Sequence, residues 1–168
     1  MSWLIIVFIV LSLIGSIAWV KPTPRQKFLA KLRLDARALG FNCRLVHITS
    51  PRPKGELEGQ KQSIMAYRLF RESQGFEQQE EGFAWSVFAI ESLANEGLPE
   101  GWSWNKGEGR LPPASLSALT AVIEALPEGV ASLDATSGYV TAYWNEKGDL
   151  DDLKVIKTQL MNLMEQGL

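Results

Sequence analysis

The sequence predicts an α+β protein, with an N-terminal transmembrane helix followed by one soluble domain. Residues 3–20 form an uncharged, almost wholly apolar run. The remaining residues contain segments of alternating apolar and polar character, typical of strands, and longer segments with apolar residues at helical spacing. Runs of strands separated by few helices favour an antiparallel or mixed sheet. We expect about five strands, covered by two or three helices.

The apolar run has the length of a membrane anchor. As a helix it would extend about 27 Å, close to the hydrocarbon thickness of a bilayer, with Trp3 and Trp19 at its two ends. A cleaved signal peptide would instead need a basic segment before the run and a small-residue cleavage site. No Lys or Arg precedes the run, and the bulky Trp19 follows 16–18, the only segment that resembles such a site. We therefore predict a retained transmembrane anchor over residues 1–20.

The segment after the apolar run is strongly basic. Residues 21–54 carry nine basic groups and one acidic group, a net charge of +8, whereas residues 55–168 have a net charge of −10. Basic groups beside a transmembrane helix are retained in the cytosol. This predicts a single-pass protein of the bacterial inner membrane, with its N-terminus outside and its C-terminal domain in the cytosol. The bilayer would contact residues 3–20, and the predicted interface residues are Trp3, Trp19, Lys21, Arg25, Lys27 and Lys31.

Residues 21–40 predict a basic amphipathic helix next to the anchor. Pro24 suits the first helical position, Thr23 suits the N-cap, and Gly40 suits the C-terminal stop. Two placements stay open at this point. The helix could lie in the membrane interface, or it could pack on the domain that follows.

Residues 41–168 predict one soluble α+β domain. A two-residue hairpin turn at Ser137-Gly138 is the clearest local signal, and Asp149 begins the last helix. The segment 72–82 is polar and predicts a connection between strands. The predicted elements are strands at 42–49, 64–70 and 83–90, a helix at 114–126, strands at 130–136 and 139–145, and a C-terminal helix.

The sequence contains no recognisable catalytic, metal-binding or nucleotide-binding motif. The only cysteine and the only histidine, Cys43 and His47, would lie on one face of a strand about 13 Å apart, which is too far for a thiolate–imidazole pair. Further zinc ligands are not apparent, and the acidic domain argues against nucleic-acid binding. We therefore predict a non-enzymatic protein without a cofactor or metal. Asp134 is unusual, because it lies in an otherwise apolar strand; it could face solvent or bind the adjacent turn.

Two tryptophans offer a candidate binding surface. An extended backbone would place Trp102 and Trp104 side by side, with Arg110 nearby. Rigid aromatic side chains contribute strongly to protein interfaces. We treat these three residues as candidate partner-binding residues, with packing of both indoles in the core as the alternative.

The N-terminal residues resemble a known family. The apolar run followed by Pro-Thr-Pro-Arg-Gln-Lys-Phe-Leu-Ala-Lys (residues 22–31) is similar to the start of YajC-type accessory subunits of the bacterial preprotein translocase. The resemblance covers the first forty residues and implies one apolar helix, a basic helix and a cytosolic β-rich portion. It carries no functional residue over to this chain. The chain also resembles single-pass bacterial inner-membrane proteins of similar length.

Two functional hypotheses follow from the sequence. In the first, the protein is membrane-anchored and non-enzymatic, and its cytosolic domain binds a protein partner at an inner-membrane complex. In the second, the chain is an envelope-facing ligand-binding domain on a signal anchor, and Trp102 and Trp104 stack on a glycan or another flat ligand.

Overall fold

The computed structural model describes residues 2–19, 22–71 and 84–168. Within the first helix it describes the side chains of residues 3–12. The predicted polar connection at 72–82 lies outside the described residues.

The N-terminal apolar run forms a helix, α1 (Ser2–Trp19), of 18 residues. Among the described residues, no helix combines the length and the apolar character needed to cross a membrane. The predicted transmembrane helix is therefore wrong, and with it the single-pass topology and the inner-membrane localisation.

The second helix, α2 (Pro24–Ala38), begins as the sequence predicts. The Thr23 hydroxyl accepts a hydrogen bond from the Gln26 amide at 3.2 Å, and the Gln26 side chain accepts one from the Thr23 amide at 2.9 Å. This reciprocal pair is a capping box, which satisfies two amides at the start of the helix. The helix ends just before Gly40, whose φ of 92° suits a residue without a side chain.

The described chain divides into two compact units, Met1–Lys31 and Leu32–Leu168. The C-terminal part of α2 belongs to the second unit, where Leu32 and Ala36 are buried. This settles one question that the sequence leaves open, since this part of the helix packs on the domain.

The domain is built on one antiparallel sheet of six strands, in the order β1-β2-β6-β5-β3-β4. Each pair of neighbouring strands is antiparallel. The predicted count of about five strands is therefore one too low. The strands are β1 (Asn42–Thr49), β2 (Lys61–Phe70), β3 (Trp85–Phe88), β4 (Ser103–Lys106), β5 (Val130–Ala135) and β6 (Tyr139–Trp144).

Two further helices complete the domain, α3 (Pro113–Glu124) and α4 (Leu150–Glu165). The α4 helix packs on β6, and α3 packs on α4. Asp149 caps α4 through a second capping box with Asp152, as the acidic residues at this point predict. The sheet face beneath these helices, the covered face, contributes the largest buried side chains of the strands: Tyr67, Trp85, Leu133, Val140 and Trp144.

The opposite side of the sheet, the open face, carries a polar row. Directly paired residues in neighbouring strands point to the same face. One polar residue from each of the six strands meets its neighbours in this way, and Thr141 lies near the centre of the row. The row comprises Asn42, Arg68, Thr141, Asp134, Ser86 and Lys106.

Candidate functional site

Strand β1 is an edge of the sheet and pairs with β2 alone. Just beyond it, the Ser50 amide donates to the Gln60 carbonyl at 3.0 Å and so points toward β2. Backbone groups alternate in direction along an antiparallel strand. The even-numbered residues of β1 therefore point toward β2, and the odd-numbered residues point away. Phe41 follows the alternation, since its amide donates to Ala36 in α2 and not to β2.

The outward-directed backbone groups of this edge belong to Cys43, Leu45, His47 and Thr49. Among the described residues, these groups have no backbone hydrogen-bond partner. The strand has eight residues without Gly or Pro, and its register with β2 is continuous. Natural edge strands are usually kept short or interrupted by prolines and bulges. This edge has neither form of protection and offers about 26 Å of backbone for pairing.

A groove begins at the middle of the same edge. Leu45 remains 60% exposed and forms one wall of a cavity of about 260 Å³. From there the cavity crosses the start of β2 and reaches the residues just after β6. Its walls combine apolar groups with polar ones, among them Leu45, Met65, Ser63, Arg33 and Glu146.

The far wall of the groove is fixed by a buried carboxylate. Glu146 is 5% exposed and accepts two hydrogen bonds from Arg33, Nε to Oε1 at 2.8 Å and Nη2 to Oε2 at 2.6 Å. The Tyr67 hydroxyl donates a third bond to Oε1 at 2.7 Å. Burial and the neighbouring carboxylate raise the pKa of Tyr67, so its hydroxyl stays neutral and donates. This arrangement ties α2 to the sheet and shapes one end of the groove.

Glu146 also has a strained backbone. Its φ of 57° lies in the left-handed region, the only such value for a non-glycine residue in the described part of the chain. Such a conformation costs a side-chain-bearing residue about 1 kcal/mol or more. The three hydrogen bonds to the carboxylate offset that cost.

The polar row on the open face holds an arginine in one orientation. The Arg68 guanidinium lies over the Tyr139 ring, with Cζ 3.8 Å from the ring centroid. Its Nε donates to the Thr141 hydroxyl at 3.2 Å. Phe70 packs edge-on against Tyr139 and remains 57% exposed. These contacts form an ordered surface beside β1.

Asp134 is the buried carboxyl of this row. Burial raises its pKa, and this effect exceeds the opposing effects of Tyr143, Arg68 and Thr141. Tyr143 and Thr141 lie within hydrogen-bonding reach of the carboxyl and lower its pKa, yet its Oδ1 atom is buried without a hydrogen-bond donor among the described residues. The unusual position of this acid was visible in the sequence, but its surroundings were not, since they come from three strands.

Substituting Asp134 by asparagine should stabilise the protein near pH 7. Folding raises the pKa of this carboxyl above its unfolded value of about 3.9, so the folded state binds the proton more tightly. The resulting stability is fully present below the unfolded pKa and is lost as pH rises through the folded pKa. Asp134→Asn removes this loss and should raise the free energy of unfolding by about 1 kcal/mol. Urea denaturation of both proteins at pH 7 and at pH 3 would measure the change in the free energy of unfolding. The substitution should raise this free energy at pH 7 alone.

The exposed Glu100 provides the matched control for this prediction. Glu100→Gln removes one negative charge from the surface and should change stability by less than about 0.5 kcal/mol. A loss of stability in Asp134→Asn at pH 7 would show that the carboxylate makes a favourable contact in the folded protein.

The predicted binding residues Trp102, Trp104 and Arg110 do not form one exposed surface. Trp104 lies on β4, is 3% exposed, and donates its indole N–H to the Glu96 carbonyl at 3.0 Å. Trp102 precedes the strand and is half-buried, and Arg110 is exposed. Trp104 therefore packs in the core, and the arrangement of two stacked indoles that a flat ligand would need is not present.

The predicted membrane-interface residues that the structure describes belong to the first compact unit. Trp3 is exposed on α1, and the Arg25 guanidinium lies 5.6 Å from the Phe28 ring centroid on α2. Lys27 and Lys31 are exposed on α2, whereas the side chains of Trp19 and Lys21 lie outside the described residues.

Among the described residues, the Cys43 thiol and groups of metal-ligating side chains are the remaining candidates for chemistry. Burial raises the pKa of the Cys43 thiol, which lowers the fraction of reactive thiolate. No group of three or more His, Cys, Asp or Glu residues in the described ranges could hold a metal ion.

The β1 edge and the Glu146 contacts were not identified from the sequence. The eight-residue strand was predicted, but its position at the edge depends on the order of the strands.

Comparison with known protein families, with functionally characterised proteins and with solved structures finds no match to this chain. The resemblance of the first forty residues to YajC-type subunits stays a prediction.

Proposed function

We propose that this chain is a non-enzymatic protein that binds a partner protein, and that the partner adds an extended segment to the sheet at β1. Strand addition uses main-chain hydrogen bonds for affinity and pockets for alternate side chains for specificity. The β1 edge has both features, an unpaired row of backbone groups and a groove that begins at Leu45. The open row of outward backbone groups is the observation that carries the proposal.

The energetics of the edge support a binding role. Each main-chain hydrogen bond contributes about 0.5–1.5 kcal/mol net, and four outward residues offer both a donor and an acceptor. Covering the exposed Leu45 side chain adds a hydrophobic contribution of about 1 kcal/mol or more. A micromolar complex needs a net free energy of about −8 kcal/mol, and association itself costs about 4–15 kcal/mol, so the segment must also make side-chain contacts in the groove to reach that affinity.

Site-specific photo-crosslinking tests the proposal. A benzoylphenylalanine at His47, whose backbone points away from β2, should trap one defined partner in intact cells. The control places benzoylphenylalanine at Leu93, which is 87% exposed in the connection between β3 and β4. This variant should not trap the partner.

A proline substitution, compared with alanine at the same position, separates strand addition from the contact of the Leu45 side chain. Leu45→Ala removes that side chain and keeps the outward amide, so it should weaken the crosslink without abolishing it. Leu45→Pro removes an outward amide that β2 does not use, so the sheet should stay folded while strand addition is blocked. The crosslink from His47 should then disappear. An undiminished crosslink in folded Leu45→Pro protein would contradict the proposal.

A further inference from the structure

The β1 strand carries a basic residue and no acid, and further basic groups lie beside it. Arg37 is exposed at the end of α2 and lies close enough to Cys43 to lower the pKa of its thiol, although burial raises that pKa more. Arg44 is exposed on the strand, Lys61 is exposed on β2 opposite Thr49, and Arg52 is exposed in the connection that follows the strand. None of these four groups belongs to an ion pair among the described residues. The basic groups nearest the strand are therefore Arg37, Arg44 and Lys61.

The acids near the strand lie beside it and not on it. Glu146 is held by Arg33 and Tyr67, and Asp35 is half-buried on α2. Glu56 and Glu58 are exposed in the connection between β1 and β2, where they balance the charge of Arg52. β1 itself contains Arg44 and His47 and has no acid.

We propose that the segment accepted by β1 is an acidic, extended segment of a partner protein; this inference rests on the proposed function. Opposite charges in directly facing positions of paired strands stabilise the pairing by about 0.2–1 kcal/mol each, and like charges destabilise it. A basic edge would also accelerate the encounter with an acidic segment.

The alternation of β1 specifies the pattern of this segment. Arg44 points to the open face, so the residue facing it should be acidic. Leu45 points to the covered face, where the groove begins, so the residue facing it should be apolar. The partner segment therefore has an acidic and an apolar residue in adjacent positions, within a strand of alternating character.

A second copy of the chain fits the edge less well. Antiparallel pairing of two β1 strands would place no acid opposite Arg44, because β1 contains none. Such a pair lacks the charge complementarity that an acidic partner would supply. We expect the full chain to show no β1-dependent dimer.

Labelled peptides test the inference directly. A ten-residue peptide of alternating Glu and Val should bind the full chain, measured by fluorescence anisotropy, and a Lys and Val peptide should bind at least about tenfold more weakly. Arg44→Glu should weaken binding of the acidic peptide about tenfold and strengthen binding of the basic one. Leu45→Pro should abolish binding of the acidic peptide.

Other outcomes separate this inference from the proposed function. Equal binding of both peptides, lost in Leu45→Pro, would overturn the acidic preference and leave strand addition intact. Absence of peptide binding while His47 still traps a partner would overturn the acidic preference alone. Binding that Leu45→Pro does not affect would overturn both. A dimer that Leu45→Pro dissociates, seen by sedimentation, would assign the edge to a second copy and overturn the inference.

Discussion

Replacing Arg33 by alanine should lower the free energy of unfolding by about 3 kcal/mol. The substitution leaves the Glu146 carboxylate buried beside Tyr67 without its bidentate cation. Losing one partner of a buried ion pair usually costs about 3–5 kcal/mol. The Arg33 side chain is itself 38% exposed, so water reaches part of the site. The expected cost therefore lies at the lower end of this range. Urea denaturation of the two proteins at pH 7 would measure the difference.

Arg37 supplies the matched control, one turn further along the same helix. It is exposed and belongs to no ion pair in the described part of the chain. Arg37→Ala should change stability by less than about 0.5 kcal/mol. Equal effects of the two substitutions would show that the Glu146 contacts do not stabilise the fold.

The second large effect concerns two buried tryptophans. Trp144 is fully buried, packs edge-on against Tyr67, and donates its indole N–H to the Glu128 carbonyl at 3.1 Å. Trp85 is equally buried, but its indole N–H has no hydrogen-bond partner among the described residues. We expect Trp144→Phe to cost about 3 kcal/mol, because it leaves a cavity and an unpaired carbonyl.

Trp85→Phe should cost clearly less, about 1–2 kcal/mol. It leaves a cavity of similar size, but it also removes a buried donor that is unsatisfied in the folded state. Thermal or urea unfolding of both variants gives the comparison, and each variant is the size-matched control of the other. A larger loss for Trp85→Phe would mean that its indole N–H has a favourable contact.

Local signals predict some elements of this fold closely. The strand at 42–49 matches β1, because alternating residues between Gly40 and the proline-containing connection define it. Asp149 identifies the start of α4, because helix capping depends on residues within one turn. The hairpin at Ser137-Gly138 is likewise a local signal, and it joins β5 to β6.

Contacts between distant residues could not be predicted in this way. Arg33 and Glu146 are 113 residues apart in the chain and meet only because α2 packs on the sheet. Trp104 looked exposed beside glycines, but the pairing of β4 with β3 places it opposite Val87 in the core. The open edge at β1 could not be predicted from the sequence either, because it depends on which strands lie next to one another.

Amide hydrogen exchange along β1 of the full chain is the most direct test of the central claim, that this strand presents an unpaired edge. The amides of Leu45 and His47 should exchange rapidly, and those of Arg44 and Val46 should be protected by β2. Adding the acidic Glu and Val peptide should then slow exchange at Leu45 and His47. Uniform protection of all four amides in the free protein would show that the edge is already occupied, and it would contradict the account.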